Sequence, residues 1–380
     1  MRARHLLPLA VLSLLLAGCL PVELVVSHDG QVLIPRQEGY FLLDPAHAKV
    51  TRIYVPQDAS PVFGRLTGDG KELLAADASS AGGGPGSSVN FDLVNLGTGG
   101  VTRLGAASNV TYLTLSPDNH TAAYTRVADQ QHGSVKENLP ELHLLDLASR
   151  RDTIVDVAPG AGVAAIHRWF PDSKSLLVFQ IMAKVENSNF YKGVLARVDV
   201  ATKKITPLAA ALGSNSVFLD LAPDGRTALF VAAEAGPVGA DLKVGGQQSK
   251  GENLYEYNLV TRQLRKVRDH VRYAMYSKTG RRVLIARPAQ SGDLDLEVAD
   301  AGLTKFNTIA DDARASTGGG PMGNDASIYP GWIGDDQIAY LASQAVYGIA
   351  GRNLELVVIS ADGAHARSLQ AAIDSAAEAK

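Results

Sequence analysis

The chain has 380 residues, 46% of them hydrophobic and 20% charged, with a formal net charge of -3 and a single cysteine. So mild an acidity excludes the clustered basic surface that a phosphate backbone demands, which argues against a nucleic-acid partner. One cysteine excludes disulfide stapling, so the stability of the fold has to come from a large packed core.

At the N-terminus, Arg2 and Arg4 precede an apolar run from Leu6 to Leu16, and Leu16-Ala17-Gly18-Cys19 closes it. This is the build of a secretory signal, shorter than the about 20 residues that span a bilayer. The four closing residues resemble the lipobox of bacterial lipoproteins, in which the cysteine becomes the acylated first residue after cleavage at Gly18. The resemblance implies a signal peptide over residues 1–18 and lipidation at Cys19. It also implies a chain anchored in the bacterial cell envelope, stably so once more than one acyl group is attached. The next residue is Leu20 rather than the aspartate that in such lipoproteins signals inner-membrane retention, which favours the outer membrane in a host with two membranes. Beyond Cys19 no apolar run approaches the about 18 residues of a spanning helix, so contact with the membrane is expected through the lipid.

After residues 19–26, the lipidated N-terminus and first strand, one phrase recurs to residue 371. It consists of an apolar run, a polar turn, a second run, a variable loop, a third run ending in Asp or Asn, a short corner and a fourth run. The turn is Ser27-His28-Asp29-Gly30, then Thr67-Gly68-Asp69-Gly70, Ser116-Pro117-Asp118-Asn119 and Phe170-Pro171-Asp172-Ser173. Ala222-Pro223-Asp224-Gly225, Ser277-Lys278-Thr279-Gly280 and Ile333-Gly334-Asp335-Asp336 complete the set, at intervals of roughly 40 to 56 residues. Proline presets φ, aspartate bonds to backbone two residues on, and glycine accepts positive φ. The corner has its own chemistry: Asn95, Asp146, Asp199 and Asn258 each precede a hydroxyl residue by three positions, namely Thr98, Ser149, Thr202 and Thr261. Runs such as Val110 to Leu115, Leu142 to Leu147 and Ala228 to Ala232 are too apolar for sheets with one wet face. The reading is all-β: a β-propeller of seven four-stranded blades, followed by an Ala-rich tail over 372–380.

These repeats resemble the TolB-type propeller, a relative of the WD-type repeat family, through the Ser-Pro-Asp-Gly turn and the Asp-Leu-x-Thr corner. The resemblance runs from about Glu23 to Leu369 and implies the fold and an envelope compartment. It does not extend to role, because the namesake carries a separate α/β domain ahead of its propeller and here the repeats follow Cys19 almost directly.

In a four-stranded blade the loop between strands two and three opens on the same face as the connection to the next blade. That face receives the insertions Asp77 to Ser88, Ala128 to Pro140, Lys184 to Lys192, Ala235 to Asn253 and Gln344 to Arg352, with the long connection Asp311 to Asp325. Long loops on a rigid scaffold concentrate recognition. Phe190, Tyr191 and Tyr347 within them are the candidate partner-binding aromatics, offering rigid contact area at low entropic cost; the alternative is that they fold back on the rim. The candidate metal site is Asp293-Leu294-Asp295-Leu296-Glu297, whose period-two spacing sets Asp293, Asp295 and Glu297 on one face of a strand. Arg281 and Arg282 on the preceding strand are the competing partners for these acids.

No Gly-x-Ser-x-Gly elbow is present, the Gly-rich stretch Gly82 to Ser88 lacks the lysine of a phosphate loop, and the nine histidines lack metal-ligand spacing. His143 and His167 read as packed core residues. No cofactor is implied and no catalytic residue is assigned. The sequence therefore favours a lipid-anchored, non-enzymatic scaffold that binds an envelope protein and serves assembly or maintenance. A propeller that binds or processes a ligand such as a glycan in its central funnel, and a surface structural protein, are the alternatives.

Overall fold

The structure, a computed structural model, describes residues 22–369 except 24, 27–29, 37–38, 58, 80–87, 128–138, 156–160, 187–189, 214–216, 243–251, 290–293, 314–327 and 344–353. The described residues form strands and turns without a helix, arranged as seven four-stranded blades in a ring. Each blade uses consecutive strands. Blade 1 takes Val25–Val26, Val32–Arg36, Gly39–Asp44 and Lys49–Tyr54, and blade 2 takes Ala59–Leu66, Glu72–Ser79, Ser88–Asn95 and Val101–Ser108. Blade 3 runs through Val110–Leu115, Thr121–Val127, Pro140–Asp146 and Asp152–Ile154, and blade 4 through Gly162–Trp169, Ser175–Lys184, Tyr191–Asp199 and Ile205–Gly213. Blade 5 has Leu219–Leu221, Thr227–Ala232, Glu252–Asn258 and Leu264–Val271. Tyr273–Tyr276, Arg282–Pro288, Leu294–Asp300 and Phe306–Ala313 build blade 6, and Gly331–Ile333, Gln337–Ser343, Leu354–Ser360 and Ala366–Ser368 build blade 7. From blade 1 to blade 6 the first strand of a blade lies beside the first strand of the next, and Trp332 of blade 7 bonds to Met275 of blade 6, so these strands surround the axis.

The core lies between the blades, which explains why the strands are apolar on both faces. Leu33, Tyr40, Leu73, Ala75 and Val94 join blades 1 and 2. Phe63, Phe91, Leu113 and Tyr124 join blades 2 and 3, and Leu144, Val163, Leu176 and Val178 join blades 3 and 4. One continuous cluster runs through blades 4 to 7. Val32, Ile34, Phe41 and Leu43 of blade 1 pack with Ile333, Ala339, Leu356 and Val358 of blade 7 and close the ring. Closure has a backbone component too: Val22–Glu23 pairs in parallel with Ile328–Tyr329, just ahead of the first strand of blade 7. Closure thus combines a seventh blade built from its own four strands with a short N-terminal pairing.

The turns behave as their residues dictate. In Ser116–Asn119 the amide of Asn119 donates to the Ser116 carbonyl (2.9 Å), and Asp118 Oδ1 accepts the amide of His120 (3.1 Å). Asp172 and Asp224 take the amides of Lys174 and Arg226 in the same way, both at 2.9 Å. Position four of the turn lies at positive φ in blades 1 to 6, for example +70° at Gly225, +61° at Asn119 and +57° at Ser173, a conformation that glycine adopts without strain and asparagine more readily than most; in blade 7 the positive φ is at position two, Gly334 (+69°). The corners match as well: Ser149 and Thr202 amides reach Asp146 and Asp199 at 2.7 Å.

Two insertions differ from the sequence reading. In the Lys184 to Lys192 segment the flanking strands run on, so Lys184 pairs with Tyr191 and Lys192 with Ala183. From the Ala235 to Asn253 segment, Glu234–Gly236 leaves blade 5 and adds a fifth strand to blade 4, with Ala210 opposite Gly236 and Leu212 opposite Glu234. An apolar patch of Ala210, Leu212 and Leu242 accompanies this pairing. The strand covers what is otherwise an open edge of unpaired amides and carbonyls.

Candidate binding site at the axis and rim

Three innermost strands carry a charged residue at the same offset, four positions before the third residue of the turn: Arg65 in blade 2, Arg168 in blade 4 and Asp220 in blade 5. Two positions further up, Tyr112 in blade 3 and Phe218 just before the first strand of blade 5 place aromatic rings between them. The result is a girdle near the tight-turn end of the axis. Arg168 Nε donates to Asp220 Oδ1 (2.9 Å) and its Nη1 to the Tyr112 hydroxyl (2.5 Å). Its guanidinium carbon lies 6.0 Å from the Tyr112 ring centre and 5.6 Å from that of Phe218. Asp220 Oδ2 accepts the Tyr276 amide of blade 6 at 2.7 Å. Trp332 of blade 7 donates its indole N–H to the Met275 carbonyl (3.1 Å), and Tyr273 its hydroxyl to the Pro330 carbonyl (3.2 Å). Burial, reinforced by the carboxylates of Glu256 and Asp220, pushes the Tyr276 hydroxyl above its ordinary range. On the other side Arg65 stacks over Tyr112 with its guanidinium carbon 5.6 Å from the ring centre. Cation–π contact of this kind is attractive within about 6 Å.

Away from the girdle lie three further polar clusters. At the blade 1–2 seam the Tyr40 hydroxyl is 2.7 Å from both Asp77 Oδ1 and the Phe63 carbonyl, and Asp77 Oδ2 is buried without a partner among the described residues. Burial, with some repulsion from Asp92, raises Asp77 to about 6. In blade 3 the Tyr124 hydroxyl donates to Asp152 Oδ2 (2.5 Å), and His143 meets Asp152 through Nδ1 (3.0 Å) and Arg126 Nε through Nε2 (3.1 Å). His167 lies in the core of blade 4, its Nε2 3.1 Å from the Ala123 carbonyl. Both histidines are therefore hydrogen-bonded core residues.

The third cluster contains the sequence-derived acids. Glu297 is buried, and its Oε1 accepts Arg287 Nη1 and Arg268 Nη2, both at 2.8 Å. The pairing arginines are therefore Arg287, from the other end of the preceding strand, and Arg268, from the outer strand of blade 5. Arg282 instead reaches Asp336 of blade 7 (3.1 Å). Asp295 is partly buried opposite Arg287, and Asp293 lies outside the described residues. Among the described residues no three His, Cys, Asp or Glu side chains converge as a metal site.

Of the candidate aromatics, Tyr191 opens the third strand of blade 4 and packs, half-buried, against the large core cluster. Phe190 is also half-buried, and its carbonyl accepts the Val185 amide (2.8 Å). Tyr347 and the lipidation candidate Cys19 lie outside the described residues. The sequence reading missed the girdle. Its signal was present in the register of the repeats, where a charge recurs four residues ahead of the turn in three of seven copies.

This architecture defines the class, a seven-bladed β-propeller. No protein-family model matches the sequence, and no curated protein matches it. Among solved structures the chain is similar to an oligogalacturonate lyase in complex with manganese, at 14% identity over 88% of this chain and 87% of that one, with a TM-score of 0.60. It is also similar to the β-propeller domain of the Trilobed protease from Pyrococcus furiosus, at 13% identity over 89% and 90% of the two chains and a TM-score of 0.55. TolB from Acinetobacter baumannii is a more distant neighbour, at 13% identity over 88% and 77% and a TM-score of 0.47. Identities this low establish the fold alone.

Proposed function

We propose that this propeller is a lipid-anchored scaffold of the bacterial cell envelope, attached through Cys19, which binds a protein partner on its loop-bearing face and does no chemistry of its own. The supporting observation is the unequal build of the two faces. On the tight-turn face the turns are short and laced to one another: the Gly68 amide donates to Asn119 Oδ1 (3.0 Å), the Asp118 amide to Ser173 Oγ (3.0 Å) and the Thr279 amide to Asp335 Oδ1 (2.9 Å). The described strand ends that flank the insertions of blades 2 to 5 lie at the opposite ends of their strands from those turns, and the insertion of blade 5 is rooted by the fifth strand of blade 4. A surface of variable loops held at fixed roots suits recognition of a macromolecule.

Site-specific photo-crosslinking in intact cells tests this, with probes at Lys192 and Asp241 on the loop-bearing side and at Asp172 and Asp224 in the tight turns, in wild-type and Cys19→Ser chains. The expected result is a discrete protein adduct from the first pair alone, lost or weakened when Cys19→Ser releases the chain from the membrane fraction. Adducts from neither pair, or equally from both, overturn the scaffold reading, and a Cys19→Ser chain that stays membrane-bound without detergent overturns the anchor.

A further inference from the structure

The girdle contains an imbalance that the scaffold reading does not use. Arg168 is neutralised by Asp220, but Arg65, only 9% exposed, has no described carboxylate beside it. Its hydrogen bond is from Nη1 to the carbonyl of its own neighbour Gly64 (2.9 Å), and its one aromatic contact is the Tyr112 ring that Arg168 also touches. Two guanidiniums thus flank one ring and a single described carboxylate serves them. The described side chains of the innermost strands offer no second acid, since Arg65, Arg168 and Asp220 are the charged residues among them apart from His167, which is in the core. Taking a guanidinium out of water is costly unless a counter-charge compensates it. Its planar fork is matched by the oxygens of a carboxylate or a phosphate.

We propose that Arg65 is the primary contact of an oxyanion-binding site at the tight-turn end of the propeller axis, taking a carboxylate or phosphate group with the field of Arg168 in support. The site is on the face opposite the proposed protein-binding loops and stands independently of them.

The two tryptophans of the chain give a built-in readout. Trp169 follows Arg168 on the same strand, and Trp332 closes the girdle against Met275. Tryptophan fluorescence and calorimetric titrations of the full chain are run with inorganic phosphate, with acetate and with chloride at matched ionic strength. The same titrations are run on Arg65→Met, Arg65→Lys and, as an exposed control, Arg52→Met. The expected outcome is saturable binding of phosphate, acetate or both over chloride, with at least tenfold weaker affinity in Arg65→Met and no change in Arg52→Met. Phosphate alone or acetate alone identifies which oxyanion the site selects. If Arg65→Met fails to fold, Arg65→Lys decides, because it keeps the charge and loses the fork, and a several-fold weaker affinity is expected. No saturable signal in either measurement, or equal affinities in wild-type and the Arg65 variants, overturns the proposal.

Discussion

Asp77 and Asp152 each accept a hydrogen bond from a buried tyrosine, Tyr40 in one case and Tyr124 in the other, yet their acidities move in opposite directions. Asp77 is 1% exposed, keeps one oxygen without a described partner, and has Asp92 nearby, so burial dominates and the carboxyl rises to about 6. For Asp152 burial also pulls upward, but hydrogen bonds from His143 and Tyr124 outweigh it, and with 41% of its side chain exposed the carboxylate is held below its ordinary range. One tyrosine donor does not define a carboxylate's state. The number of other donors and the reach of water decide it.

The largest test of this contrast is Tyr40→Phe. It removes the only described side-chain donor to a buried carboxylate, so a loss of about 2–3 kcal/mol at pH 7 is expected in urea denaturation, the range for leaving a charged group unsatisfied. Next is Asp77→Asn. Because the native carboxyl binds its proton more tightly than the unfolded one, the native state holds the extra proton between about pH 4 and 6. The contribution of Asp77 is therefore fullest at low pH and declines as pH rises through about 6. The amide variant removes that decline, and comparison of denaturation midpoints at pH 4 and pH 7 is expected to show it gaining about 1–2 kcal/mol on the wild type at the higher pH. Tyr124→Phe is the smallest of the three, at about 1 kcal/mol, because Asp152 keeps His143 and water. Equal losses in the two tyrosine variants would show that donor count and exposure do not separate the sites.

The fold was highly legible because its turns carry their chemistry locally. Asp69, Asp118, Asp172 and Asp224 each act on the amide two residues on and the Asx of each corner on an amide three residues on, so the segment contains the whole interaction. Strands such as Ala228 to Ala232, buried throughout, declared their two-sided packing by composition alone. The site was far less legible. Arg168 meets Asp220 and Tyr112 across separations of 52 and 56 residues, and Tyr40 meets Asp77 across 37. Glu297 has its arginines on a neighbouring strand and a neighbouring blade, one of them 29 residues away, whereas sequence spacing pointed to Arg281 and Arg282.

By itself the sequence determined the repeat, the four strands in each copy, the turn and corner conformations and the ring of seven, since each follows from local residue preferences and a periodic apolar pattern. Only the tertiary structure decided that the insert of blade 5 lends a strand to blade 4, that Val22–Glu23 pairs across the closure, and that Asp220 pairs with Arg168 while Arg65 stacks on Tyr112. These outcomes depend on which repeats become neighbours when the ring closes. Partners one blade apart are brought together by that geometry, and no local pattern in the chain specifies their charges as pairs.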